Sequence, residues 1–485
     1  MSVPKAAYLV SDETVPRHEK WVVYCVAFAA FTFQFEAFVI SVALPDMARE
    51  LGSSSTEISF VVIAYLLAAT VSFLPAGRLG DRYGLRRIFL YGALLACAGT
   101  LLSGISFSLQ QLWISRLITG VGMGALVAVS YAMIPAWINQ KRLGWGYGML
   151  SLGAGLGMIA GLPIGGLLSY YLVWQWIFLA SIPIFVVLLA VAYHHLPRRK
   201  LSGLITSSQP GLDRTGLLLF SILLCSLMLM MSLGAEFGWT SRLNFSLIFA
   251  ILVSAFALAW RAYRGRSLLS PELFRCAGFS LALLTLFLFQ FVSSGIRFLM
   301  PFYLELSVGL TVLMSSALML IYPLSFAPTG VWAGRLADRV GSRLMVLLAL
   351  GLGACICALY IGALTQLNIW MFSLFMCGFG VVCALFSPPN NRLIMSSVPT
   401  QHRGEASALL PIALNMGSLL GISFFESVFS LHFSQEVGQS LENFASTQGA
   451  QQIIMDGFEL AFLFAALIFL LTFVVVFLFN HPREK

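Results

Sequence analysis

Ionisable side chains are scarce in this 485-residue chain, and a few of them interrupt long apolar runs. Glu36 lies in FEAFVISVALP and Arg116 in LWISRLITGVG, each about six or seven residues from one end of its run, roughly 10 Å deep at a helical rise of about 1.5 Å per residue. A charge at mid-bilayer costs about 2.5 to 3.5 kcal/mol on insertion scales, so a carboxylate and a guanidinium at matched depth are candidate partners. The chemistry they offer is proton binding: Glu36 takes up a proton when its surroundings are apolar and releases it when Arg116 pairs with it. A static ion pair that fixes helix packing is the structural alternative. A second group, Gln290, Ser293, Ser294 and Arg297, falls at i, i+3, i+4 and i+7, a polar stripe on an apolar helix that should face a central cavity. For Arg297, Glu305 and Glu426 the alternative is snorkelling to the nearby interface. Phe31, Phe35 and Phe38 share one helix face and could stack on a flat aromatic substrate, or pack in core or lipid.

Other chemistry finds no support. The 6 His are scattered, the 8 Cys are isolated without a CxxC, and neither a nucleophile elbow nor a GxxxxGK[ST] phosphate loop occurs. No enzyme, metal site or cofactor is expected. The net charge of +8 is dealt out in twos to fours between apolar runs rather than gathered in one patch, so no nucleic-acid partner is expected.

The elements that must position these residues follow from composition. With 59% hydrophobic and 10% charged residues, the chain has more apolar surface than a water-soluble core needs, and lipid must cover it. Apolar runs place membrane spans near 21 to 43, 57 to 76, 87 to 106, 110 to 134, 146 to 168, 175 to 193, 215 to 234, 244 to 262, 279 to 302, 311 to 333, 343 to 363, 369 to 388, 405 to 429 and 457 to 479. Of 28 Lys and Arg, all but four fall at the termini and in the loops on their side; only Arg49 and Arg242 fall in the opposite loops, and Arg116 and Arg297 inside spans. Basic residues concentrate on the cytoplasmic side, so both termini are expected there. The first twenty residues mix acids with bases and lack an apolar core, so no cleavable signal peptide is expected.

One loop is repeated. Gly77, Arg78, Leu79, Asp81, Arg82, Gly84 and Arg86 recur 257 residues later as Gly334, Arg335, Leu336, Asp338, Arg339, Gly341 and Arg343, and Arg87 extends the first copy. Each copy follows the second span of a six-span set, so the chain divides into a cytoplasmic segment 1–20, a bundle 21–193, a linker with two extra spans 194–278, a second bundle 279–479 and a tail 480–485. In each loop a Gly permits a sharp turn out of the membrane, an Asp can sit at a helix N-terminus or pair with Arg, and the arginines hold to the anionic surface. Such a polar latch can break as the halves rock apart; mere positive-inside anchoring is the alternative. In the fifth span Gly153, Gly157, Gly161 and Gly165 recur every fourth residue, which permits close approach of a neighbouring backbone.

These loops resemble the signature loop of the major facilitator superfamily, and fourteen spans resemble its drug:proton antiporter branch, the QacA and EmrB type. FEAFVISVALP is similar to that branch's first-span motif, with Glu36 where an Asp is usual and Ser41 where an Asn is usual. Arg116 and Gly120 match its fourth-span Arg-x-x-x-Gly, and WQWIFLASIP its sixth-span start, with Gln175 in place of Arg. Gly161, Pro163, Gly165 and Gly166 resemble the fifth-span antiporter motif with the Pro one place late. The resemblance implies an all-α major facilitator fold and export by exchange.

The expected protein is a multi-pass transporter of a bacterial cytoplasmic (inner) membrane that exports small amphipathic compounds, cations included, in exchange for protons, by alternating access. Its partners would be the lipid bilayer, protons, a small-molecule substrate and, in a Gram-negative cell, a periplasmic adaptor protein. Import or export of one metabolite or siderophore is a second reading, favoured by the displaced Pro. A non-transporting membrane sensor or assembly partner is a third.

Overall fold

A computed structural model describes residues 15–41, 43–53, 55–197, 213–237, 241–265, 268–363, 369–399, 402–437 and 450–479. The expected N-terminal segment 1–20, linker 194–278 and tail 480–485 lie wholly or in part outside the described residues. Among the described residues are fourteen helices long and apolar enough to cross a membrane, and no strand. Their main segments are α1 (Arg17–Ser41), α2 (Ser55–Tyr83), α3 (Leu85–Gly104), α4 (Leu109–Trp137), α5 (Leu143–Tyr171), α6 (Ile182–His195), α7 (Arg214–Phe237), α8 (Arg242–Tyr263), α9 (Ala277–Phe302), α10 (Ile321–Val340), α11 (Ser342–Ala363), α12 (Ile369–Ser396), α13 (Arg403–Val437) and α14 (Ala450–Leu478).

Lipid offers the backbone no partner, so each span satisfies its polar groups within its own helix. Hydroxyls in the spans do likewise: Thr32, Thr70 and Thr285 donate to the carbonyl four residues earlier at 2.8, 2.7 and 2.7 Å. Ser108 and Ser241 cap the first turns of α4 and α8 by accepting from the N–H of Gln111 and Asn244. Large apolar side chains face outward, Phe256, Leu359 and Leu374 being 74, 76 and 74% exposed, as lipid contact requires.

The two halves pack by the same plan. α1 lies along α5 and α2 along α4; in the second half α9 lies along α13 and α10 along α12. The halves meet where α5 crosses α10 and α2 crosses α13, while α7 and α8 pair with each other and α7 rests on both α2 and α13. The layout is two six-helix bundles built on one plan, with two helices inserted between them in the chain.

The regular glycines of the fifth span face α1. A Cβ at Gly153, Gly157 or Gly165 would lie 1.9, 2.4 or 2.5 Å from the carbonyl oxygen of Ala27, Phe31 or Val39, and one at Gly161 3.0 Å from Phe38 Cβ. Pro163 points away and is exposed, and Gly166 is half-buried. On another face of α5, Gly144 and Gly148 meet Gly334 and Gly330 of α10, so the same helix is glycine-lined toward its own half and toward the other.

The apolar runs near 57 to 76 and 311 to 333 belong to longer helices, since α2 and α10 continue to Tyr83 and Val340. Gly77 and Gly334 are therefore helical, and the turns fall on Gly84 and Gly341, whose φ of 98° and 94° favours glycine. Hydropathy marks where lipid ends, whereas a helix ends where its hydrogen-bond ladder does.

Candidate functional site

Glu36 and Arg116 meet between α1 and α4. Arg116 Nη1 donates to Glu36 Oε2 at 3.0 Å, and both side chains are 0% exposed. The guanidinium carbon lies 4.4 Å from the centre of the Tyr65 ring of α2 and 5.5 Å from that of Phe178. The spacing from Arg116 to Gly120 has a local cause: a Cβ at Gly120 would lie 2.4 Å from the Tyr65 carbonyl oxygen, so glycine lets α2 come close enough to cover Arg116. Glu36 Oε1 and Arg116 Nε and Nη2 are buried without a hydrogen-bond partner. Both charges have lost water, so each depends on the other, and removing one costs about 3 to 5 kcal/mol.

A cavity of about 610 Å³ lies between the halves, a volume suited to a drug-sized molecule. Gln290, Ser294, Arg297 and Phe38 line it. Two expected members do not. Ser293 is 1% exposed, its Oγ 3.7 Å from Cys383 Sγ of α12, and Phe35, also 1% exposed, packs with Val39, Trp174 and Phe178. The reason is helical phase: the cavity takes Ala30, Gln34 and Phe38 of α1, which leaves Phe35 and Glu36 turned into the bundle. Ser293, the repeat counterpart of Glu36, is likewise turned into its own bundle.

Arg297 does not snorkel. Its Nε donates to the Ser293 carbonyl at 3.0 Å, Nη2 to Ser294 Oγ at 3.1 Å and Nη1 to Tyr322 Oη at 3.4 Å, which turns the head back toward the middle of the span. Gln290 Nε2 donates to Ser294 Oγ at 3.0 Å and Ser418 Oγ at 2.8 Å, tying α9 to α13. Glu305, also expected to snorkel, lines the cavity at the end away from the repeated loops.

At the other end the repeated residues join the halves. Asp338 Oδ1 and Oδ2 accept from the N–H groups of Gly144 and Trp145 at 2.8 and 2.9 Å, at the start of α5, and Arg392 Nε lies 3.2 Å from Oδ1. A carboxylate there meets unpaired N–H groups and the positive end of the helix dipole. Asp81 holds the matching place at the start of α13, where a Cβ on Gly404 would lie 1.7 Å from Asp81 Oδ2. Gly77 and Gly334 make the crossings close, since a Cβ would meet the carbonyl oxygen of Gly404 at 2.8 Å or of Gly144 at 2.1 Å. Arg78 pairs with Glu405 of α13 at 3.2 Å and also donates to the Leu268 carbonyl.

Arg86 and Arg343 act within their own halves. Arg86 donates to the Tyr193 carbonyl at 2.7 Å, in the last turn of α6, and Arg343 to the carbonyls of Val476, Phe477 and Phe479 at 3.2, 3.0 and 3.0 Å, at the end of α14. Each supplies donors to carbonyls that a helix end leaves over. Arg82, Arg87, Arg335 and Arg339 are exposed.

Sequence reasoning passed over several partners. Arg403 of α13 donates to the Pro135 carbonyl at 2.9 Å and Asn415 Nδ2 to Thr70 Oγ1 at 2.8 Å, two further bridges between the halves. Arg392 and Arg403 had been counted only as topology signals, and Gly144 and Gly404 carry no signal until their neighbours are known.

The family profile for the Major Facilitator Superfamily matches residues 26–422 and 282–485. The chain is 27% identical over 423 residues to the riboflavin transporter RibZ of Clostridioides difficile, covering 86% of this chain and 90% of RibZ. It is 25% identical over 449 residues to MdtD of Pectobacterium atrosepticum, named a multidrug resistance protein, covering 91% and 95%. The solved structure of the proton:xylose symporter XylE superposes with a TM-score of 0.63 at 16% identity, covering 93% of this chain and 94% of that one. The non-transporting reading ends here: the chain is a multi-pass membrane transporter, not an enzyme, and belongs to the Major Facilitator Superfamily.

Proposed function

We propose that the chain exports small amphipathic compounds from the bacterial cytoplasm in exchange for protons, by alternating access. The observation that supports this reading most is the fully buried Glu36–Arg116 pair on α1 and α4, with Glu36 two residues along α1 from each of the cavity residues Gln34 and Phe38. Protonating Glu36 would cancel one charge and leave Arg116 uncompensated, so the two protonation states favour different helix arrangements. Because α1 carries both Glu36 and cavity wall, its adjustment reaches the substrate. The repeated loops would act as the latch on the cytoplasmic side; their contacts between the halves, through Asp338 and Arg78, support that role, and the cavity lining reaches Glu305 at the opposite end. The glycine seam between α5 and α1 is the hinge surface.

One proton moving down the membrane potential supplies about 2.3 kcal/mol per 100 mV, enough for modest accumulation against a gradient. In a Gram-negative cell, a periplasmic adaptor would carry the compound onward. Proteoliposomes with an imposed pH gradient test the coupling: the native protein should drive uphill dye movement that a protonophore abolishes. Glu36→Gln should lose the proton-driven part, and if uphill movement survives that change, the coupling role is lost. A second reading, transport of one specific metabolite, is favoured by the likeness to a protein named a riboflavin transporter. Transport of several unrelated dyes excludes it.

A further inference from the structure

Resting on the transporter reading above, we infer that the central cavity selects organic anions, specifically acidic aromatic amphiphiles whose carboxylate or similar planar oxyanion is received by Arg297. Two arginines lie inside apolar spans, and they are placed differently. Arg116 is sealed in its bundle and neutralised by Glu36 at 3.0 Å. Arg297 lines the cavity, and the partners of its head are uncharged: the Ser293 carbonyl, Ser294 Oγ and Tyr322 Oη. A guanidinium has five N–H donors, and these contacts use three, leaving the two that a bidentate carboxylate needs.

The remaining balance of charge points the same way. Among the described lining residues the one other Asp, Glu, Lys or Arg is Glu305, eight residues farther along the chain and not among the hydrogen-bond partners of the Arg297 head. An unneutralised cation among apolar spans is a cost that an anionic guest lowers. A cationic guest meets the same charge with no counter-ion beside it. The walls suit the rest of such a molecule, since the half-buried Phe38 of one half and Phe298 of the other line the same cavity. Gln290 and Ser294, held by Ser418, keep α9 fixed where Arg297 emerges.

An electrical consequence follows. Exchange of one inward proton for one outward anion moves two charges in the direction an inside-negative potential favours, whereas exchange for a monovalent cation moves none.

Fluorescein and rhodamine 123 share a tricyclic xanthene ring and carry opposite charge, so binding of each to the purified full chain in detergent, read by fluorescence anisotropy, isolates the role of charge. The native protein should bind fluorescein about 10- to 100-fold more tightly than rhodamine 123, the range expected for a charge-assisted bidentate contact. Arg297→Gln should remove that preference without weakening rhodamine 123. Arg275→Gln, at an exposed arginine outside the cavity lining, should keep it. Equal binding of the two dyes by the native protein, or tighter binding of rhodamine 123, overturns the inference, and this comparison needs no variant to fold. Proteoliposomes separate it from the function on which it rests. Protonophore-sensitive export of rhodamine 123 with no fluorescein transport sinks anion selection and leaves proton-coupled export standing. Fluorescein binding that depends on Arg297, with no proton-driven transport, supports the anion site and sinks the coupling.

Discussion

Asp338→Asn should open the loop end of the molecule. Both carboxylate oxygens of Asp338 are engaged, one with the N–H of Gly144 and one with that of Trp145, and Arg392 lies beside Oδ1. Asparagine has the same size but keeps one acceptor oxygen, and its NH2 would face the second backbone N–H donor to donor. One charge-assisted bond is lost, the other falls to neutral strength, and the charge at the helix N-terminus disappears. Charged bonds contribute about 1.5 to 3 kcal/mol and neutral ones about 0.5 to 1.5, so the closed state loses about 2.5 to 4.5 kcal/mol, a shift of about 60- to 1600-fold toward opening at that end. Spin labels on exposed Arg82 and Arg339, one per half, in a background lacking the 8 native cysteines, would report this as a new long-distance component in a pulsed electron resonance experiment. Identical distance distributions for the native protein and Asp338→Asn would refute the reasoning, because they would mean the Asp338 contacts do not hold the halves.

Two further outcomes are expected. Gly153→Ala would push a methyl group against the Ala27 carbonyl oxygen, which cannot give way without moving α1, so it should cost about 1 to 3 kcal/mol and lower the melting temperature in detergent; Gly351→Ala, whose Cβ would meet Phe473 at an ordinary 3.6 Å, should not. Arg116→Gln strands the Glu36 carboxylate and should destabilise by about 3 to 5 kcal/mol, while the double change Glu36→Gln with Arg116→Gln should recover much of the loss; equal melting temperatures for the single and double variants would contradict a mutually dependent pair.

Much of this organisation was legible before any coordinates. Hydropathy located fourteen spans because lipid tolerates few charges, and the repeat at Gly77 and Gly334 exposed the duplication. Pairing of Glu36 with Arg116 could be read because two opposite charges at one depth in an apolar medium have few alternatives. The glycine rhythm of α5 pointed to a close neighbour but could not say that the neighbour is α1.

Other parts waited for the assembled molecule. Periodicity says which residues share a helix face, not which way the face turns, so Phe35 and Ser293 were assigned to the cavity and are found inside their bundles. The repeated loop shows the same limit. Its residue types and spacing announced a latch, yet its two glycines differ in task, one for close packing and one for the turn, and its arginines divide between the other half, the end of their own half and the surface. Span number, duplication and the identity of the charged groups depend on local chemistry and were set by the sequence alone. Which groups meet depends on how helices rotate and cross, an outcome of packing among segments hundreds of residues apart, and only the tertiary structure decided it.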